Sequence, residues 1–529
     1  MLILHNARVF TLDPQQPVAT ALAIEQDRIV AIGRETDILA LSRPGTTVQN
    51  LDGKIILPGL TDAHIHLQHL ALSLQRVDCA TATRAECLRR VAERVTQTPP
   101  GQWILGHGWN QNEWPEGFGS AQDLDAIAPQ HPVFLTAKSL HAAWVNSTAL
   151  RLAGIGPDTP DPSGGRIQRD AQGHPTGILF EAAVDLVQRC IPQPEVEDVA
   201  RAIRAALPIL WQMGLTGVHD FDQRTCFMAL QRLRGEGELK LRVLKSLPLD
   251  ALDEAVVLGV GSGFGDAWLR IGGVKLFADG ALGPQTAAMF EPYLGREDYG
   301  LLFLEAEQVF EIGRKAGEVG LSLAVHAIGD RANAEVLTGL EQLRQWEHDT
   351  GKPHLRHRIE HVQILRPQDI GRLAQANVTA SVQPIHATSD MEMADRYWGE
   401  RSRYAYAYRT LLGQGTRLAF GSDAPVESPN PFWGIHAAVT RRRLDGTPGP
   451  EGWYPQERVT VQQAIEAYTL GAAYAAGLEN CLGSLRSGYY ADLIVLDRNP
   501  WEMPAEDLHQ LHPVATMVGG EWVWQTEEM

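Results

Sequence analysis

Two histidines, His64 and His66, close the run Gly59-Leu60-Thr61-Asp62-Ala63-His64-Ile65-His66. On a strand, side chains at i and i+2 share a face. The spacing therefore aims two imidazoles the same way and turns Ile65 to the other side. Two converging imidazoles can share a metal ion; the plainer alternative is a pair of strand-end histidines bonded to backbone. Comparable residues close later apolar runs. Lys275 lies within Ile271-Gly-Gly-Val-Lys275-Leu-Phe-Ala-Asp279, His326 ends Leu323-Ala-Val-His326, His361 ends Arg358-Ile-Glu-His361, and Asp423 follows Leu418-Ala-Phe-Gly-Ser. Singly, each has an ordinary explanation: a bonded core histidine, a lysine reaching back to water, an aspartate in a turn or helix cap. Imidazole, amine and carboxylate together at matched strand ends suit a metal centre.

The elements that must carry these residues alternate. Strand-like runs are expected at 59–66, 215–221, 241–247, 269–277, 321–328, 357–363, 378–383 and 417–422. Helical periodicity falls between most of them and again at 461–478. Eight strands, nearly all followed by a helix, predict an α/β fold, a parallel (β/α)8 TIM barrel with its chemistry at the C-terminal strand ends. Short strand-like runs in residues 2–57 have counterparts at 491–496 and 515–524. They predict a small β-sandwich built from both termini. The expected domains are thus residues 1–58 with 479–529 as sandwich and 59–478 as barrel. Residues 69–195 form an inserted subdomain between barrel strands 1 and 2, over the barrel mouth.

Composition narrows the class. The chain has 529 residues, 44% hydrophobic and 21% charged, as in ordinary soluble proteins. A net charge of −18 without a basic run excludes nucleic acid or an anionic membrane as the expected partner. Five scattered cysteines with no CxxC read as reduced thiols rather than a disulfide framework. The N-terminus has no long apolar stretch after a basic start, and no apolar segment is long enough to span a bilayer. The expectation is a cytoplasmic protein, with a homodimer as the default assembly.

The stretches GLTDAHIH, GVKLFADGALG, AVHAIGDRA, RHRIEHVQ, QPIH and FGSDAPVE, with WILGHGWNQNEWP and HAAWVNSTAL in the insert, resemble the amidohydrolase superfamily and its amidohydrolase-3 group of metal-dependent hydrolases. The resemblance implies one metal on His64, His66 and Asp423 and a second on His326 and His361. Lys275, carboxylated at Nζ, would bridge the two. One or two zinc ions are the expected cofactor. The implied activity is hydrolysis of a carbon–nitrogen, non-peptide amide bond in a small molecule such as an N-substituted formamide. Metal-activated water attacks, and Asp423 is the general base. A lysine in an apolar strand beside cations has a depressed pKa and can take up CO2.

The expected substrate contacts are His107, Trp109 and His141 from the insert, with Asp279 and Gln285 from the loop after the fourth strand. Trp114, Trp144 and Asn146 belong to the same stretches; the alternative for the tryptophans is packing. His219, Glu181 and Asp330 are further polar candidates. Two other functions stay open: a mononuclear deaminase or cyclic-amide hydrolase on the same barrel, and a barrel serving as a non-catalytic scaffold.

Overall fold

The computed structural model describes residues 1–111, 114–139, 141–527 and 529. Eight parallel strands form one sheet in sequence order. They are β1 (Leu60–Ile65), β2 (Leu215–Asp220), β3 (Arg242–Pro248), β4 (Leu269–Phe277), β5 (Ser322–Ala327), β6 (Arg358–His361), β7 (Thr379–Val382) and β8 (Leu418–Phe420). The first and last strands meet: Ile65 bridges Ala424, Asp423 N–H donates to His64 O at 2.7 Å, and His66 N–H donates to Ala424 O at 2.9 Å. A parallel sheet joined edge to edge with helical crossovers is a TIM barrel. The strands are buried along most of their length because both faces are covered.

Asp62 ties this closure together. Its buried carboxylate accepts from His64 N and Ser422 N, both at 3.0 Å, and from Ser422 Oγ at 2.5 Å. At Gly421 a Cβ would lie 2.4 Å from His64 N, so β8 approaches β1 too closely for a side chain there. The helix expected over 461–478 is broken: Val461–Glu466 is α-helical, Ala467–Gly471 is a π turn, and Ala472–Ala475 resumes. The wider turn brings Gly471 against Leu418 O of β8, where only a glycine fits.

Strands from both chain ends pair in one six-stranded sheet: Glu521–Gln525, Pro513–Val518, Leu493–Leu496, Ile55–Pro58, Arg8–Phe10 and Val18–Ala19. A four-stranded sheet of Arg28–Gly33, Ala21–Glu25, Leu2–His5 and Thr47–Asn50 accompanies it. One apolar cluster, including Leu4, Val9, Leu22, Ile56, Leu493 and Met517, takes residues from both termini. Asp492, next to Leu493, accepts from Arg242 of β3 through Nε at 2.5 Å and Nη2 at 2.8 Å, with both side chains buried.

The chain divides into two compact units, residues 1–70 with 203–529, and residues 71–202. The second unit holds a mixed six-stranded sheet in the order Gly165–Arg169, Pro175–Glu181, Ala142–Val145, Val133–Ala137, Ile104–Trp109, Val77–Asp78. Among the described residues no helix is long and apolar enough to cross a membrane. All five cysteines are unpaired.

Candidate metal centre

The C-terminal strand ends bring His64, His66, Lys275, His326, His361 and Asp423 into one cluster. His64 Nε2 and His66 Nε2 stand 3.5 and 3.4 Å from Asp423 Oδ1. The His361 ring centroid is 4.9 Å from that of His64 and 4.5 Å from that of His326. Lys275 is buried, its ammonium 4.4 Å from the Phe221 ring centroid and 5.1 Å from that of Phe277. His361 and Asp423 both have left-handed backbones, φ 75° and 61°. Such a conformation costs a non-glycine residue about 1–3 kcal/mol. In His361 it swings the side chain inward although Glu360, one residue earlier, also lies in the barrel interior.

Each imidazole is fixed through one nitrogen. His64 Nδ1 donates to Glu360 Oε2 at 2.6 Å, His66 Nδ1 to Asp222 Oδ1 at 3.1 Å, and His361 Nδ1 to Gln383 Oε1 at 2.8 Å. His326 donates from Nε2 to Gly280 O at 2.9 Å. A carboxylate or carbonyl only accepts, so these bonds place the proton and leave a lone pair on the other ring nitrogen of His64, His326 and His361, while His66 Nε2 also faces the Asp423 carboxylate. The acceptors are themselves anchored. Arg358 grips Glu360 at 2.5 and 3.0 Å and donates to Ser381 Oγ, Ala63 O and His219 Nδ1. Asp222 also accepts from His69 Nδ1 at 2.6 Å, and Lys245 pairs with the neighbouring Asp220 at 2.9 Å.

Electrostatics keep three of the four imidazoles in ligand form. Burial and then the Lys275 charge push His64 and His326 each down to about 4. Burial, then His326 and His64, hold His361 well below the usual imidazole range. Burial brings Lys275 down to about 8, against the pull of Glu360 and Asp423. Burial alone would raise Asp423, but the bond from His66 and the nearby imidazoles outweigh it and keep the carboxylate ionised. Neutral imidazoles at His64, His326 and His361, an ionised carboxylate and a partly neutral amine suit a divalent cation, whereas His66, held at about 9 by its bonds to Asp222 and Asp423, would release a proton on ligation. His64 Nε2 is buried without a protein partner, as both ring nitrogens of His386 are. The residues present therefore fit a metal.

Two expected substrate contacts are turned inward. Asp279, 1% exposed, accepts from Ile328 N, Ala288 N and Gly329 N at 2.8–3.0 Å, clamping the loop after β4 to the end of β5. Trp109, also 1% exposed, donates from Nε1 to Leu135 O and packs on Trp114 within the second unit's core. Trp144 lies in that core too, and Asn146 caps helix Ser147–Leu152. In the same unit His107 is half-buried and bonded to Thr136 Oγ1 at 2.8 Å, while exposed His141 pairs with Glu181 at 2.9 Å. Gln285, half-buried at φ 58°, sits in the turn after β4. His219 and Asp330 are buried, the first bonded to Arg358 and the second accepting from Phe290 N. The sequence reading missed Glu360, Asp222 and Gln383; the available signal was their position at or just beyond the ends of β6, β2 and β7.

Residues 47–524 match the family described as Amidohydrolase family. The chain is 34% identical over 541 residues to Protein LONG AFTER FAR-RED 3 of Arabidopsis thaliana, covering 99% of this chain and 91% of that protein. It is 31% identical over 538 residues to N-substituted formamide deformylase of Arthrobacter pascens, covering 98% and 97% of the two chains. An uncharacterized metal-dependent hydrolase from Pyrococcus furiosus, solved by crystallography, matches with a TM-score of 0.78 at 30% identity, covering 95% of this chain and all of that one. With the fold, the strand-end cluster and these likenesses in hand, the chain belongs to the amidohydrolase family and is a hydrolase of carbon–nitrogen bonds other than peptide bonds.

Proposed function

We propose that the protein hydrolyses a non-peptide amide bond in a small molecule, an N-substituted formamide or another small N-acyl amine. The observation that carries this reading is the cluster of four histidines, each tied through one nitrogen to a fixed acceptor, around Asp423 and Lys275. The likeness to N-substituted formamide deformylase supports the substrate class. His64, His66 and Asp423 would hold one divalent metal, His326 and His361 a second, with Lys275 between them. Zinc suits this mixed nitrogen and oxygen set. Bound there, a metal supplies Lewis acidity toward the scissile carbonyl and toward water.

The chain's own residues do the rest. Asp423 takes a proton from the attacking water on its carboxylate and returns it to the leaving nitrogen. The water oxygen bonds to the carbonyl carbon, the carbon–nitrogen bond breaks, and a carboxylic acid and an amine leave. Lys275, with its pKa lowered to about 8 by burial, has a neutral fraction that can add CO2 through its nitrogen lone pair, release one proton to solvent and become an anionic carbamate. Glu360, Asp222, Gln383 and Gly280 O orient the imidazoles throughout.

The test is a screen of N-formyl and N-acyl amines with zinc-loaded enzyme, reading free amine. Amine release from one subset, abolished in Asp423→Asn, is the expected result. Release of ammonia from an amino-substituted ring instead would favour the deaminase alternative, and turnover undiminished by metal removal would refute the proposal.

A further inference from the structure

Helix Pro384–Ser389 follows β7 and carries His386, 7% exposed, into the same cluster. Its ring lies parallel to that of His361, 15° apart in plane with centroids 6.2 Å apart. Its Nε2 stands 3.9 Å from Asp423 Oδ2. Donor atoms of His361, His386 and Asp423 all fall within 4.8 Å of one another, as do those of His64, His66 and Asp423. Asp423 belongs to both groups and divides itself between them: Oδ1 faces His64 and His66, and Oδ2 faces His386.

A buried imidazole ordinarily bonds through at least one ring nitrogen. Two other core histidines do so: His357 bonds Glu347 and Leu323 N, and His219 bonds Arg358. Among the described residues His386 alone has both ring nitrogens buried without a partner. Nothing in the protein fixes its protons, and its ring is held by stacking and by its helix. Plain packing leaves both nitrogens unexplained, whereas a cation between His361, His386 and Asp423 would engage one of them.

We infer that His386 is a protein ligand of the second metal position, alongside His361 and Asp423. The inference rests on the metal-dependent reading proposed above and extends it to a residue from the β7 loop. Asp423 Oδ2 faces this position, which His326 and Lys275 would complete, so the loss of His386 should weaken it while sparing the position on His64 and His66.

Apoprotein titrated with Co2+, read by bound metal and visible absorption, tests this. Wild type is expected to bind two equivalents. His386→Ala should lose one, or bind it more weakly than the roughly 10–100-fold penalty that removal of an outer partner brings, a penalty Gln383→Leu provides for comparison. His386→Asp returns an oxygen donor and should recover part of the second equivalent; it also guards against His386→Ala failing to fold. Wild-type stoichiometry, affinity and spectrum in His386→Ala overturn the inference. A single wild-type equivalent, lost in His64→Ala but untouched in His386→Ala, overturns the His386 role and leaves the hydrolase reading standing. No bound Co2+ in any form overturns both.

Discussion

Asp423 is the residue on which chemistry and ligation meet. Its carboxylate faces two histidine pairs and stays ionised against burial. Asp423→Asn keeps the shape and removes the base, so kcat should fall about a hundred- to ten-thousand-fold, with circular dichroism unchanged; activity within threefold of wild type would contradict the role. His66 makes a pH prediction. Burial disfavours its charged form, but the bonds to Asp222 and Asp423 outweigh it and hold its pKa at about 9 in metal-free protein, above the ordinary 6.5. A raised folded pKa contributes stability that is full below pH 6.5 and lost as pH rises through about 9. The Tm of metal-free protein should therefore carry a downward term across that window that His66→Asn removes. Lys275 acts in the opposite sense between about 8 and 10.5, so the difference curve between wild type and His66→Asn is the quantity to read. The six cluster residues are legible in sequence because each lies within three residues of a strand end. Their acceptors are not. Glu360 is 296 positions from His64 and Asp222 is 156 from His66, pairings that only strand order and register create. Trp109 shows the converse: an aromatic at a strand end reads the same whether it lines a pocket or fills a core.

Among elements, the junction of β1 and β8 sets the geometry. Asp62 crosses it, and Gly421 permits it by having no side chain where His64 N and Cβ would lie 2.4 and 2.9 Å away. Gly421→Ala should cost about 1–3 kcal/mol, as overpacking does, and also weaken metal binding because His64 must move. A loss of stability with metal affinity unchanged would separate the junction from the site. Short strand-like runs between segments of helical period locate β1 to β8, since a parallel barrel strand is covered on both faces and need not alternate. They do not reveal the π turn at Ala467–Gly471, whose cause is the contact of Gly471 with Leu418 O on another element.

At the scale of the whole molecule, the terminal strands and the barrel are joined by a buried charge pair. Arg242 and Asp492 lie 250 positions apart and are nearly inaccessible to water. Removing one partner strands the other; Asp492→Asn or Arg242→Met should cost about 3–5 kcal/mol, seen as a lower Tm, while the double change to apolar residues restores part of it. Equal Tm values for single variants and wild type would show the pair to be dispensable. The most direct measurement of the metal-dependent assignment is anomalous diffraction from zinc-loaded crystals at the zinc edge. A peak within coordination distance of His64, His66 and Asp423 is the expected result, and zinc bound only elsewhere, or not at all, would contradict it.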